Sequence, residues 1–211
     1  MPTSQTAHGP LRTFGRIKSR PIKPRQEALM TSLLPDLALP TTPFDPRALA
    51  PDAREVWLEI GFGGGEHLAG QAQRNPDVLL LGAEPFVNGV ASALRHVEDA
   101  GLKNVRLHHG DGREIMAAIP DASLDRVFIL FPDPWQKARH HKRRLIQPDF
   151  IADLARVMKP GAVLRFATDW SNYADWTLER FLGVPDLFRW TGEKADDWRI
   201  APADHLTTRY E

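Results

Sequence analysis

The sequence predicts an α/β fold, with a mostly parallel central sheet covered by helices on both faces. Three observations carry that expectation. From Val56 onward, short apolar runs alternate with stretches of helical period. The apolar runs are nearly continuous, as in strands buried on both faces. Acids cluster at the carboxyl ends of those runs (Glu59, Glu84, Asp111, Asp133 and Asp169), where open parallel sheets bind ligands.

The elements follow in order. Residues 1–24 are rich in Pro, Gly, Ser, Thr and basic side chains and lack apolar periodicity, which predicts a flexible basic tail; 25–211 is expected to be a single domain. Arg25–Leu34 places Leu29, Met30, Leu33 and Leu34 on one side of a short helix that Pro35 should end. Prolines keep 35–54 extended. Val56–Ile60 is a strand, followed by a Gly-rich turn and a helix to about Arg74. Val78–Ala83, Asn104–His108, Leu124–Phe131 and Ala162–Thr168 are the next strands. Between and after them run helices over Phe86–Ala100, Arg113–Ala118, Pro148–Met158 (stopped by Pro160-Gly161) and Asn172–Leu182. Crossovers between the strands should be right-handed. Trp170, Tyr173 and Trp176 are spaced for a core-facing helix, and Phe188-Arg189-Trp190 is a candidate late strand.

Composition narrows the function. There are no cysteines among the 211 residues, which excludes disulfides and thiolate catalysis. No apolar run approaches the roughly 20 residues of a membrane span, so a cytoplasmic protein without membrane contact is expected. The zero net charge hides asymmetry: six basic residues and no acid lie between Arg12 and Arg25, and five Lys/Arg with two His occupy seven of the eight positions 137–144. Such patches suit a polyanion, although a basic tail by itself is as readily a solvated segment.

The turn Glu59-Ile60-Gly61-Phe62-Gly63-Gly64-Gly65-Glu66 follows the first strand and opens a helix. Gly61 and Gly63 let the backbone approach a ligand, but a dinucleotide loop would have a glycine where Glu66 stands. A carboxylate in that first helical turn repels phosphate. Glu84 is placed to accept hydrogen bonds from both hydroxyls of a ribose, Asp111 to meet an adenine edge, and Glu59 to attract a cationic amino-acid portion. Ribose, adenine and positive charge without phosphate describe S-adenosyl-L-methionine. A purely structural glycine turn and a packed strand-end Glu59 are the alternatives.

Phe131-Pro132-Asp133-Pro134-Trp135-Gln136-Lys137-Ala138-Arg139-His140-His141-Lys142-Arg143-Arg144 is the most specific stretch. It resembles the signature of the bacterial tRNA (guanine-N7-)-methyltransferases: FPDPW, a Lys two residues on, then R-H-x-K-R-R. The glycine loop, Glu84, Asp111, Ala167-Thr168-Asp169-Trp170 and Thr208-Arg209-Tyr210-Glu211 match that family in order and spacing, so the likeness covers about residues 25–211. The resemblance implies a Rossmann-like class I methyltransferase fold and methylation of guanosine N7 in the variable loop of tRNA. It implies that Glu59, Gly61, Gly63, Glu84, Asp111 and Asp133 line the cofactor site, with Asp133 also the catalytic carboxylate. Lys137, Asp169, Thr208, Arg209, Tyr210 and Glu211 would contact the substrate, and Arg139, His140, His141, Lys142, Arg143 and Arg144 the RNA. Family members continue past the position of Glu211 through a helix and a final strand, so a missing C-terminal strand and an open sheet edge are expected.

The chemistry is compatible with that implication. Guanine N7 has a free lone pair and no proton, so attack on a methyl sulfonium needs alignment and charge stabilisation but no general base. Asp133, Asp169 and Glu211 are candidates to hold the N1–H and N2–H₂ donors of guanine; a turn residue between prolines is the plain alternative for Asp133. Trp135 would stack on a base or cap the sheet end. Neither His108-His109 nor His140-His141 has a third ligand at metal spacing, so no metal is expected. A methyltransferase for a small molecule or protein would have no use for the 137–144 arm, and an RNA-binding module without catalysis would have none for the acids. A monomer or a homodimer is expected.

Overall fold

The computed structural model describes residues 21–206. Most of the basic tail, and Thr208, Arg209, Tyr210 and Glu211, therefore lie outside the described residues.

Five strands form the sheet: β1 (Glu55–Ile60), β2 (Val78–Ala83), β3 (Val105–His108), β4 (Leu124–Leu130) and β5 (Met158–Ala167). All neighbours are parallel and the order is β3-β2-β1-β4-β5. The chain builds outward from β1 to one side, then returns to place β4 against its other edge. The switch point thus lies between β1 and β4, where helices leave toward opposite faces and a crevice opens at the carboxyl ends. Register aligns those ends: Glu59 lies opposite Gly82 and Phe128, and Ile60 opposite Ala83 and Ile129.

Alternation along each buried strand divides the core. Val56, Leu58, Ile60, Leu79, Leu81, Val127 and Ile129 pack with α5 (Gly112–Ala118), α6 (Pro148–Val157) and Tyr173 of α7 (Ser171–Leu182). On the other face Trp57, Val78, Leu80 and Phe128 pack with α1 (Pro24–Ser32), α2 (Leu34–Leu37), α3 (Glu66–Arg74) and α4 (Val87–Ala100). With apolar residues on both faces, the near-continuous runs are accounted for. A final short helix, α8, spans Asp196–Arg199.

Three local expectations are corrected. Pro35 does not end helical structure; it sits in the first turn of α2, where its missing N–H would have had no partner. The helix before Pro160-Gly161 stops at Val157, but β5 begins at once: Met158 pairs with Leu124 across a register shift, and Gly161 takes φ +82°. Pro160 is tolerated because β5 is an edge of the described sheet. Phe188-Arg189-Trp190 forms no strand; Phe188 packs edge-on against Phe181 at 5.0 Å.

Candidate functional site

The glycine turn leaves β1 with Gly61, Gly63 and Gly65 all at positive φ. The loop is pressed against α4: a Cβ at Gly89 would lie 2.2 Å from the Gly63 carbonyl oxygen. On the crevice side Gly61 has nothing within 4 Å of where its Cβ would be, so its backbone faces open space. Glu84, at the end of β2, ties the loop down. Its carboxylate accepts from the Gly63 N–H at 2.7 Å and the Phe86 N–H at 2.8 Å. Burial nevertheless pushes this carboxyl up to about 7, opposed by the two backbone donors and reinforced by the charges of Asp133 and Glu59. Three acids from the ends of β1, β2 and β4 therefore converge on one crevice.

Glu59 is 2% exposed and meets a side chain that the sequence reading missed. His67 Nδ1 lies 2.7 Å from Glu59 Oε2, and Gln71 Nε2 lies 3.2 Å from His67 Nε2 and 3.0 Å from the Asp204 carbonyl. A carbonyl only accepts, so Gln71 presents its NH₂ and His67 Nε2 must accept. The proton is then on Nδ1, which donates to Glu59. This buried chain leads from the crevice to the segment just before residues 207–211. The signal was available: His67 and Gln71 share one face of α3 at i, i+4 spacing.

Asp111 is half-buried and caps α5. It accepts from the Arg113 N–H at 3.0 Å and from its guanidinium at 2.6 and 2.9 Å. The structure brings it to the mouth of β3 but turns these oxygens toward Arg113.

Asp133 is exposed, in a turn whose backbone is unusual on both sides. Phe131 has φ +51° and Trp135 φ +43°, left-handed conformations that side chains other than glycine adopt only under constraint. The charge of Asp133 acts on Glu84 and on Tyr173, so the turn lies near both the glycine turn and α7. Asp169, exposed in the loop that ends β5, lies two residues before α7.

The basic arm is a 3₁₀ helix over Ala138–Arg143. Lys137, Arg139 and Lys142 are exposed. Arg143 stands 5.0 Å over the Trp135 ring, so that tryptophan packs within the arm. His140 is held below its ordinary value by desolvation and by four surrounding cations. His141 packs against Trp176 at 5.2 Å, with Nε2 buried. Arg144 departs from the expected RNA role: it is 2% exposed, with its guanidinium 4.8 and 4.9 Å from the Tyr173 and Trp176 rings, out of reach of a phosphate.

The family model described as "Putative methyltransferase" matches residues 53–211, three quarters of the chain. The chain belongs to this methyltransferase family. Close relatives of this family member carry one name. A tRNA (guanine-N(7)-)-methyltransferase of Caulobacter vibrioides is 68% identical over 211 residues, covering 100% of this chain and 92% of the relative. A protein of the same name from Hyphomonas neptunium is 50% identical over 203 residues, covering 95% and 92%. Among solved structures the methyltransferase resembles the 16S rRNA methyltransferase KamB, with TM-score 0.50 and 17% identity over 65% of this chain and 71% of that one. That likeness shows the class I methyltransferase fold alone.

Proposed function

We propose that this chain transfers a methyl group from S-adenosyl-L-methionine to N7 of a guanosine in tRNA, in the variable loop. The observation that carries the reading is the convergence of Glu59, Glu84 and Asp133 beside a glycine turn that opens onto free space. The names of relatives 68% and 50% identical support it.

The residues fit that cofactor. Glu66, at the first turn of α3, makes the helix N-terminus hostile to phosphate. Glu84 keeps lone pairs beyond its two backbone donors, suited to ribose hydroxyls. When bound, S-adenosyl-L-methionine supplies an electrophilic methyl on a sulfonium sulfur. Glu59 and Asp133 place negative charge toward a cation in the crevice. In this reading Asp133 and Asp169 meet guanine and accept from its N1–H and N2–H₂ groups. As positive charge passes to the purine, those carboxylates hold it more tightly than in the ground state. Lys137, Arg139, Lys142 and Arg143 offer cations to the RNA backbone. Thr208 to Glu211 are proposed substrate contacts on the resemblance alone. No helix among the described residues is long and apolar enough to cross a membrane; action in the cytoplasm belongs to the proposal.

Incubation of unmodified tRNA with methyl-labelled cofactor tests the reading. Wild-type chain should yield labelled 7-methylguanosine, and Asp133→Ala should reduce transfer by about a hundredfold or more while remaining folded. Undiminished transfer by Asp133→Ala would remove the carboxylate from the mechanism.

A further inference from the structure

Arg144 is a buried cation that forms no ion pair with a carboxylate among the described residues. Desolvation, with the nearby Arg180 cation, lowers its guanidinium from the ordinary value. Its hydrogen bonds go to two other loops instead. Nε donates to the Pro134 carbonyl at 2.8 Å. Nη2 donates to Asn172 Oδ1 at 2.7 Å, and Nη1 approaches the Asn172 carbonyl at 3.5 Å. Tyr173 and Trp176 offer their rings to the same guanidinium. The Tyr173 hydroxyl in turn accepts from the Ile146 N–H at 3.4 Å, two residues after Arg144.

The ends of this bridge matter. Pro134 lies between Asp133 and Trp135, inside the turn where Phe131 and Trp135 take left-handed backbone. Such residues cost on the order of 1–3 kcal/mol each and persist only where the surroundings over-determine them. Asn172 is in the first turn of α7, three residues after Asp169. The two carboxylates leave the sheet on different strands, β4 and β5.

We propose that Arg144 is a positioning residue that fastens the Asp133 turn to the start of α7 and so sets the spacing between Asp133 and Asp169. A planar fork with donors on two edges can grip both loops and lie between two rings; a lysine has one charged point and cannot. The proposal rests on the reading of Asp133 and Asp169 as the residues that meet guanine.

The test compares Arg144→Met, Arg144→Lys and Asn172→Ala with Lys142→Ala, an exposed arm residue, well below the melting temperature of each. For Arg144→Met, kcat at saturating tRNA should fall roughly tenfold to a hundredfold, the consequence of misplaced reacting groups. The slope of log tRNA affinity against log salt should stay at the wild-type value, whereas Lys142→Ala should reduce it by about one. Arg144→Lys and Asn172→Ala should lie between wild type and Arg144→Met in kcat and share the unchanged slope. A slope lowered by Arg144→Met or Arg144→Lys with kcat unchanged would make Arg144 a phosphate contact and overturn the proposal. An unchanged kcat in folded Arg144→Met would reduce it to packing, with the same result. Hydrogen exchange reads the bridge independently of any substrate. Residues 132–137 and 169–174 should lose protection together in Arg144→Met, or in Asn172→Ala if the former does not fold. Loss in one segment alone, or in neither, contradicts the bridge. If the wild-type chain leaves tRNA unmethylated while exchange behaves as expected, the functional reading fails and the bridge stands.

Discussion

Glu84 gives the sharpest pH-dependent consequence of the site. Its carboxyl titrates near 7 because burial disfavours the charged form and the charges of Asp133 and Glu59 add to it, against the two backbone donors of the loop. A ligand that donates two ribose hydroxyls needs the ionised form. With that titration point, about one molecule in ten is ionised at pH 6 and about nine in ten at pH 8. The apparent Kd for S-adenosylhomocysteine should therefore rise about tenfold from pH 8 to pH 6, since the competent fraction sets the affinity. Calorimetry at pH 6, 7 and 8, in buffers of different ionisation enthalpy, reads both the affinity and the proton released on binding. Below pH 7 nearly one proton should be released per ligand bound. Glu84→Gln should bind more weakly at every pH and lose the pH dependence, because its NH₂ must face the Gly63 or Phe86 N–H. Stability of the free chain moves the other way. The folded-state value lies above the ordinary 4.5, so Glu84 contributes most below that pH and its contribution is lost as pH rises through about 7. The loss is of the order of 3 kcal/mol. Affinity independent of pH over this range, with no proton released, would refute the placement of Glu84 against the ligand.

Other expectations follow from the same geometry. Arg139→Ala with Lys142→Ala should lower the salt slope of tRNA binding by about 2, measured by filter binding across a salt series; an unchanged slope would remove the arm from the RNA interface. His67→Phe strands the buried Glu59 carboxylate without its donor and should cost about 2 kcal/mol or more in urea unfolding. A change under about 0.5 kcal/mol would show that the Glu59–His67 bond contributes little. Gly89→Ala drives a methyl into the Gly63 carbonyl and should weaken S-adenosylhomocysteine binding by about tenfold or more while tRNA binding is largely kept, since a displaced loop backbone loses its close approach to the ligand.

How far the sequence exposed these features depended on the kind of signal. The strands of β1, β2 and β4 were readable because burial on both faces demands runs such as Val78–Ala83, with no polar interruption. The acids at their ends were readable because ionisable groups beside such runs are costly without a task. Less was visible where the decision lies in tertiary contacts. Arg144 carries the same charge as its neighbours Lys142 and Arg143, yet it turns inward because Tyr173 and Trp176, some thirty residues on, form its slot. Pro35 looked like a helix stop because a proline can equally open the next helix. The left-handed Phe131 and Trp135 have no residue-type signature, since bulky side chains are the last expected there.

The most direct measurement maps the methyl group on its RNA. Unmodified tRNA is incubated with S-adenosyl-L-methionine and the chain, reduced with borohydride and treated with aniline, which breaks the strand at 7-methylguanosine. Cleavage is expected at one guanosine in the variable loop with wild-type chain, and should nearly vanish with Asp133→Ala. A methyl group on another atom or another loop, or no methyl group from a folded wild-type chain that binds S-adenosylhomocysteine, would contradict it.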